Sequence, residues 1–212
     1  MNALLKKSLA EFVGVTVFLT AITAAGNEFL KPFTVAIALG LMILLTGGVS
    51  GGHLNPAVTL FFYSRKEITL GTALAYVVAQ LAGGFAGATL GAVLTGTVNK
   101  SFIAGAGSAT AALFVGEIVA TAGLVWIIGT LVQNKLGNLI PVAVAAWILT
   151  AATFTATGAQ ANPAVSFGLV IQGSLPTTFA GPLVLAQVIG VVVAVLLLIV
   201  FAPKAKKATK KK

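Results

Sequence analysis

Two short runs carry the side chains with the most chemistry available to them. "HLNPAVTL" sets Asn55 before Pro56 and Ala57, and "QANPAVSF" sets Asn162 before Pro163 and Ala164. Proline is favoured at the first position of a helix and asparagine is a strong cap before it, so each run starts a helix. The capping amide also keeps two N–H donors, which makes it a group able to hydrogen-bond beyond its own helix. Taken singly, either run is an ordinary capped turn; taken as a matched pair, the two point to a shared site. The other candidates are Glu11, Glu117 and His53, the single histidine. Four acids, one histidine and no cysteine make no catalytic cluster and no set of metal ligands, so an enzyme, a bound cofactor or a metal is not expected.

The elements that position these residues are membrane spans. A 212-residue chain that is 58% hydrophobic and 8% charged has too little polar surface to cover a water-soluble globule. Apolar runs at 8–25, 33–48, 68–94, 109–132, 139–155 and 179–202 each approach the ~20 residues that a helix needs to cross ~30 Å of hydrocarbon. Six crossings bring both termini to one side. That side collects Lys6, Lys7, Arg65, Lys66, Lys135 and the six lysines of "PKAKKATKKK", eleven of the thirteen basic residues, against Lys31 and Lys100 opposite. The net charge of +9 is therefore a topology signal with both termini in the cytoplasm, rather than a nucleic-acid footprint. The partner expected is the lipid bilayer, in the cell (inner or plasma) membrane.

The chain repeats itself. A shift of 107 carries Asn55 onto Asn162, Val35-Ala36 onto Val142-Ala143, Ala79-Gln80 onto Ala186-Gln187 and Gly83 onto Gly190; Glu11 meets Glu117 at a shift of 106. The units run over 1–105 and 106–202, with 203–212 as a basic cytoplasmic tail. Three spans per unit make the second copy enter from the opposite face, an inverted repeat whose functional site lies at the midplane between copies. The helices at 55–64 and 162–171 reach only about 15 Å, half the membrane. The fold class is thus all-α and integral to the membrane, with six transmembrane helices and two re-entrant half-helices meeting at their N-termini.

Irregular loops precede both half-helices, and such backbone needs hydrogen-bond partners inside the membrane. One buried glutamate per repeat answers one loop per repeat, so Glu11 and Glu117 are read as loop supports rather than proton carriers. His53 is read as a loop-fixing hydrogen-bonder rather than a pH gate. Gly83, Gly87 and Gly91, spaced by four, are read as a close-packing stripe. Trp126 and Trp147 are either interfacial anchors or packing residues.

The paired "NPAV" motifs, "SGGHLNPAVTL", "TGAQANPAVSFG" and the two glutamates resemble the major intrinsic protein family, the aquaporins and aquaglyceroporins, over nearly the whole chain. The resemblance implies an hourglass pore in each subunit, a homotetramer, and passive flow of water or small neutral solutes. It places Asn55, Pro56, Ala57, Asn162, Pro163 and Ala164 at the pore centre. Carried over by distance from the motifs, the filter positions are Val35, Thr150, Ala159 and Val165. The family most often has an arginine at the last of these; here it is valine. The constriction implied is wider and more apolar than a strict water filter, open to glycerol, urea or an uncharged metalloid hydroxide. Two alternatives from the same inverted-repeat architecture are a secondary transporter and an ion- or proton-leaky channel.

Overall fold

The computed structural model describes residues 1–97 and 109–202. The repeat boundary at 105, Lys100 and the 203–212 tail lie outside the described residues. Among the described residues eight α-helices follow in order: α1 (Ala3–Ala24), α2 (Lys31–Ser50), α3 (Pro56–Ser64), α4 (Leu70–Leu94), α5 (Ala111–Gln133), α6 (Ile140–Phe154), α7 (Pro163–Gln172) and α8 (Thr177–Val200). A 3₁₀ turn, Gly137–Leu139, leads into α6. Among the described residues, six helices are long and apolar enough to cross a membrane, and α3 and α7 are the two short ones.

Local sequence accounts for the helix ends. Thr69 and Thr110 cap α4 and α5 by accepting from the N–H of Thr72 and Leu113. Asn55 and Asn162 cap α3 and α7, each with proline at the first helical position. Nine and ten residues give these helices about 13–15 Å of length, so neither spans.

Each repeat is built on one tight helix pair, α1 on α4 and α5 on α8. Glycines make this possible. A methyl group at Gly83 would lie 2.6 Å from the Phe12 carbonyl, one at Gly87 2.6 Å from the Thr16 carbonyl, and one at Gly190 2.8 Å from the Ile118 carbonyl. With no hydrophobic force between helices in lipid, this close backbone approach supplies the packing. Thr20 uses it to donate its hydroxyl to the Gly87 carbonyl across the pair at 3.3 Å. The repeats then join where α2 crosses α6: a methyl at Gly40 would meet the Pro141 carbonyl at 3.0 Å and Ala145 Cβ at 3.1 Å. The half-helix α7 reaches into the other repeat and packs its first turn on Gly84 of α4, which a side chain there would block at the Ala164 carbonyl.

The crossing of α2 and α6 corrects the register of the repeat. The cavity-lining residues Val35, Leu39 and Ile43 of α2 match Ile140, Val144 and Ile148 of α6, so these two helices are related by a shift of 105, not the 107 that pairs Val35 with Val142. Val142 is exposed while Val35 is partly buried and faces inward. The physical reason lies at the helix ends. Helix α2 runs unbroken to Ser50, whereas α6 stops at Phe154 and two extra residues, Thr155 and Ala156, intervene before Thr157, the residue that takes the part of Ser50.

The close pair predicts a size limit. Gly87→Val should destabilise the protein by about 1–3 kcal/mol through overpacking, seen as a lower thermal midpoint in detergent; an unchanged midpoint would contradict the packing.

Candidate functional site

The site begins with two loops whose backbone has left its helices. In the first, Gly51, Gly52 and Leu54 have φ of 95°, 62° and 50°; in the second, Gly158, Ala159 and Ala161 have 69°, 56° and 46°. Leu54 and Ala161 are matched non-glycine residues in the left-handed region, a strain of order 1 kcal/mol each that the surroundings must hold. Glu11 and Glu117, both fully buried, supply that hold.

Glu11 accepts hydrogen bonds from the backbone N–H of His53 at 3.0 Å and of Leu54 at 2.6 Å, from the Ser50 hydroxyl, and from Gln80 Nε2 at 2.7 Å. Glu117 accepts from the N–H of Gln160 at 3.0 Å and of Ala161 at 2.8 Å, from the Thr157 hydroxyl, and from Gln187 Nε2 at 2.6 Å. Four donors on each carboxylate fill its acceptor capacity. Sequence reasoning missed Gln80 and Gln187. Their signal was present, since Ala79-Gln80 and Ala186-Gln187 match in the repeat.

So held, the loops bring the half-helix N-termini together. Asn55 Oδ1 accepts from the Ala57 N–H at 2.8 Å while its Nδ2 donates to the Ala161 carbonyl of the opposite loop at 2.7 Å. Asn162 mirrors it, accepting from Ala164 at 2.9 Å and donating to the Leu54 carbonyl at 2.9 Å. Each amide thus caps its own helix and latches the other loop. One N–H of each Nδ2 remains beyond these bonds.

His53 is buried, with Nδ1 3.2 Å from the Thr59 hydroxyl, its ring stacked on Phe62 at 4.5 Å and edge-on to Tyr76 at 5.3 Å. In the second loop Gln160 takes this place, accepting from Ser166 at 2.6 Å. Trp147 donates its Nε1 to the Ala120 carbonyl at 2.8 Å, joining α6 to α5. Trp126 packs its ring on Phe201.

A cavity of about 860 Å³ passes both asparagines. One end is lined by residues of the α1–α2 and α7–α8 connections, such as Glu28 and Leu175, and the other by Phe62 and Ile140. Its apolar wall is a stripe on α2 (Val35, Leu39, Ile43) facing one on α6 (Val144, Ile148). Ala159 and Val165, both buried, complete it from the second loop and α7.

Thr150 is not part of this wall. It is exposed on the far side of α6, its hydroxyl donating to the Ala146 carbonyl at 2.8 Å. Counting twelve residues back from Asn162 fails because of the two extra residues after α6. Val35 stands five residues before Gly40, and Ile148 five residues after the midpoint of Pro141 and Ala145. On antiparallel helices both lie about 7.5 Å from the crossing in the same direction. Ile148 therefore occupies the position opposite Val35, and nothing in the motif spacing disclosed it.

A sequence model of the family described as "Major intrinsic protein" matches residues 1–148 and 131–212. Aquaporin TIP1-1 of Arabidopsis thaliana is 34% identical over 216 residues, covering 89% of this chain and 85% of that protein. Aquaporin TIP1-2 of Zea mays is 36% identical over 189 residues, covering 77% and 73%. The chain belongs to the major intrinsic protein family. The aquaglyceroporin of Plasmodium falciparum has the same fold, with a TM-score of 0.68 over 91% of this chain and 95% of that one at 20% identity.

As a major intrinsic protein the chain is an integral membrane channel for water or small solutes and not an enzyme. Its loop supports carry a clear expectation. Glu117→Ala strands two backbone N–H groups, a hydroxyl and an amide, each costing about 1–3 kcal/mol when buried without a partner. Thermal stability in detergent and solute flux should fall together. A variant of parental stability would remove Glu117 from this role.

Proposed function

We propose that this channel passes water together with small uncharged hydroxylated or amide solutes: glycerol, urea and metalloid hydroxides such as arsenious acid. The observation that supports the reading is the cavity wall itself: Val35, Ile148, Ala159 and Val165, read here as its constriction, are four aliphatic side chains with no fixed charge. Selectivity in aquaporin-type pores is governed by diameter, lining donors and acceptors, and electrostatic barriers. An uncharged aliphatic ring favours solutes with a carbon or metalloid body over a strict water file.

Asn55 and Asn162 form the pore centre in this reading. Each spends one amide hydrogen on the opposite loop and keeps one for a passing oxygen. Behind them stand two half-helix N-termini, each with partial positive charge, which reject cations and turn the solute oxygen inward. Glu11 and Glu117 are fully engaged by the loops, which leaves no midplane acid for the ion coupling of a carrier. We further propose a homotetramer with both termini cytoplasmic, supported by family membership and by the basic residues Lys6, Lys7, Arg65, Lys66 and Lys135 gathered on one face.

Stopped-flow light scattering on proteoliposomes tests the reading. Water, glycerol, urea and arsenite gradients should all relax through the channel; water flux with none of the others overturns it. Val165→Arg should cut glycerol and urea flux by about tenfold or more while water flux persists. In the same assay Ile148→Trp should block glycerol, and Thr150→Trp should leave it within about twofold. The reverse pattern would restore Thr150 to the constriction.

A further inference from the structure

The aliphatic constriction poses a question: what replaces the fixed charge absent from Val165? Helix α2 supplies an answer one turn outward. Lys31, Val35, Leu39 and Ile43 recur every four residues on the face turned to the cavity. Residues four apart share a helix face, so Lys31 sits in line with Val35 and about 6 Å further toward the mouth. Among the described residues, Lys31 and Glu28 are the only lysine, arginine, aspartate or glutamate side chains lining the cavity.

The two are paired at 3.8 Å but unequally placed. Lys31 is 37% exposed and Glu28 84% exposed, so solvent and salt screen the acid more than the base. The two formal charges cancel, but the less exposed ammonium stands in line with Val35, so its field reaches the solute path through less solvent and is concentrated by the low-dielectric walls. Among the described residues, no lysine, arginine, aspartate or glutamate lines the opposite end of the cavity.

We propose that Lys31 is a specificity-determining residue that lowers cation and proton entry at this mouth, with Glu28 moderating it. This rests on the channel reading above. A unit charge 6–10 Å away acts through partly screened solvent, so the effect is modest at physiological salt and grows as salt is removed.

The test is proton leak into proteoliposomes holding a pH-sensitive dye, under a clamped membrane potential, with water flux measured on the same preparation. Lys31→Gln should raise the leak about twofold at 150 mM salt and about fivefold at 10 mM. Lys31→Glu, a two-unit charge change, should raise it by about the square of those factors. Lys31→Arg should match the parent, and Glu28→Gln should leak less. Equal leak in Lys31→Glu and the parent at 10 mM, with water flux intact, overturns the proposal; so does a rise that ignores salt, since that marks a steric effect. Absence of water flux in the parent protein strikes the channel reading instead.

Discussion

Within the hydrocarbon no water is present to satisfy a backbone N–H, so a chain that leaves its helix there must bring its own acceptors. Glu11 and Glu117 are those acceptors, and most of the architecture follows from them. A carboxylate buried without partners is prohibitive; one receiving four hydrogen bonds from loop N–H groups, a hydroxyl and a glutamine amide is not. To deliver Gln80 and Gln187, α4 must lie hard against α1 and α8 against α5. The glycine contacts at Gly83 and Gly190 are what let them do so. The loops are then stiff enough to hold Leu54 and Ala161 at positive φ, and that backbone sets Asn55 and Asn162 facing each other.

The network is two-fold to the residue at its centre and departs from symmetry outside it. Ser50 and Thr157, Leu54 and Ala161, Thr59 and Ser166, Gln80 and Gln187 pair off with equivalent bonds or backbone. His53 and Gln160 share a position but not a chemistry: one offers a ring that stacks on Phe62, the other a short amide. The two residues inserted after α6 change how far that helix's inward stripe reaches before the loop begins. Symmetry holds at the carboxylates and the asparagine latches and relaxes beyond them, where Gln187 Oε1 is buried with no partner among the described residues while Gln80 Oε1 accepts from Thr59.

That division explains what could be read from the sequence. The spans were legible because hydrocarbon tolerates only long apolar helices, and the half-helices because Asn-Pro is a local start signal that acts whatever surrounds it. The glutamates were legible because an intramembrane acid demands a reason. Gln80 and Gln187 matched in the repeat yet announced no role, since an amide in a helix is unremarkable until its partner is known. Ile148 was hidden for a different cause. Position along a wall depends on the length of the loop between motif and helix, and counting back to Thr150 assumes a length that Thr155 and Ala156 change.

The same division separates the scaffold from the proposed sieve. Asn55 and Asn162 each hold two bonds that the loops require, so altering either removes a cap and a latch together. Val35, Ile148, Ala159 and Val165 carry no polar side-chain atom, and changing them leaves no donor stranded. The central electrostatics are therefore tied to the hydrogen bonds of the fold, whereas the size and charge of the wall are not. Charge rejection then has one component built into the half-helix ends and a second that is free to sit wherever a side chain faces the solute path. An uncharged Val165 on α7 is compatible with such a scheme when another cavity-lining position, Lys31 one turn outward on α2, carries a charge.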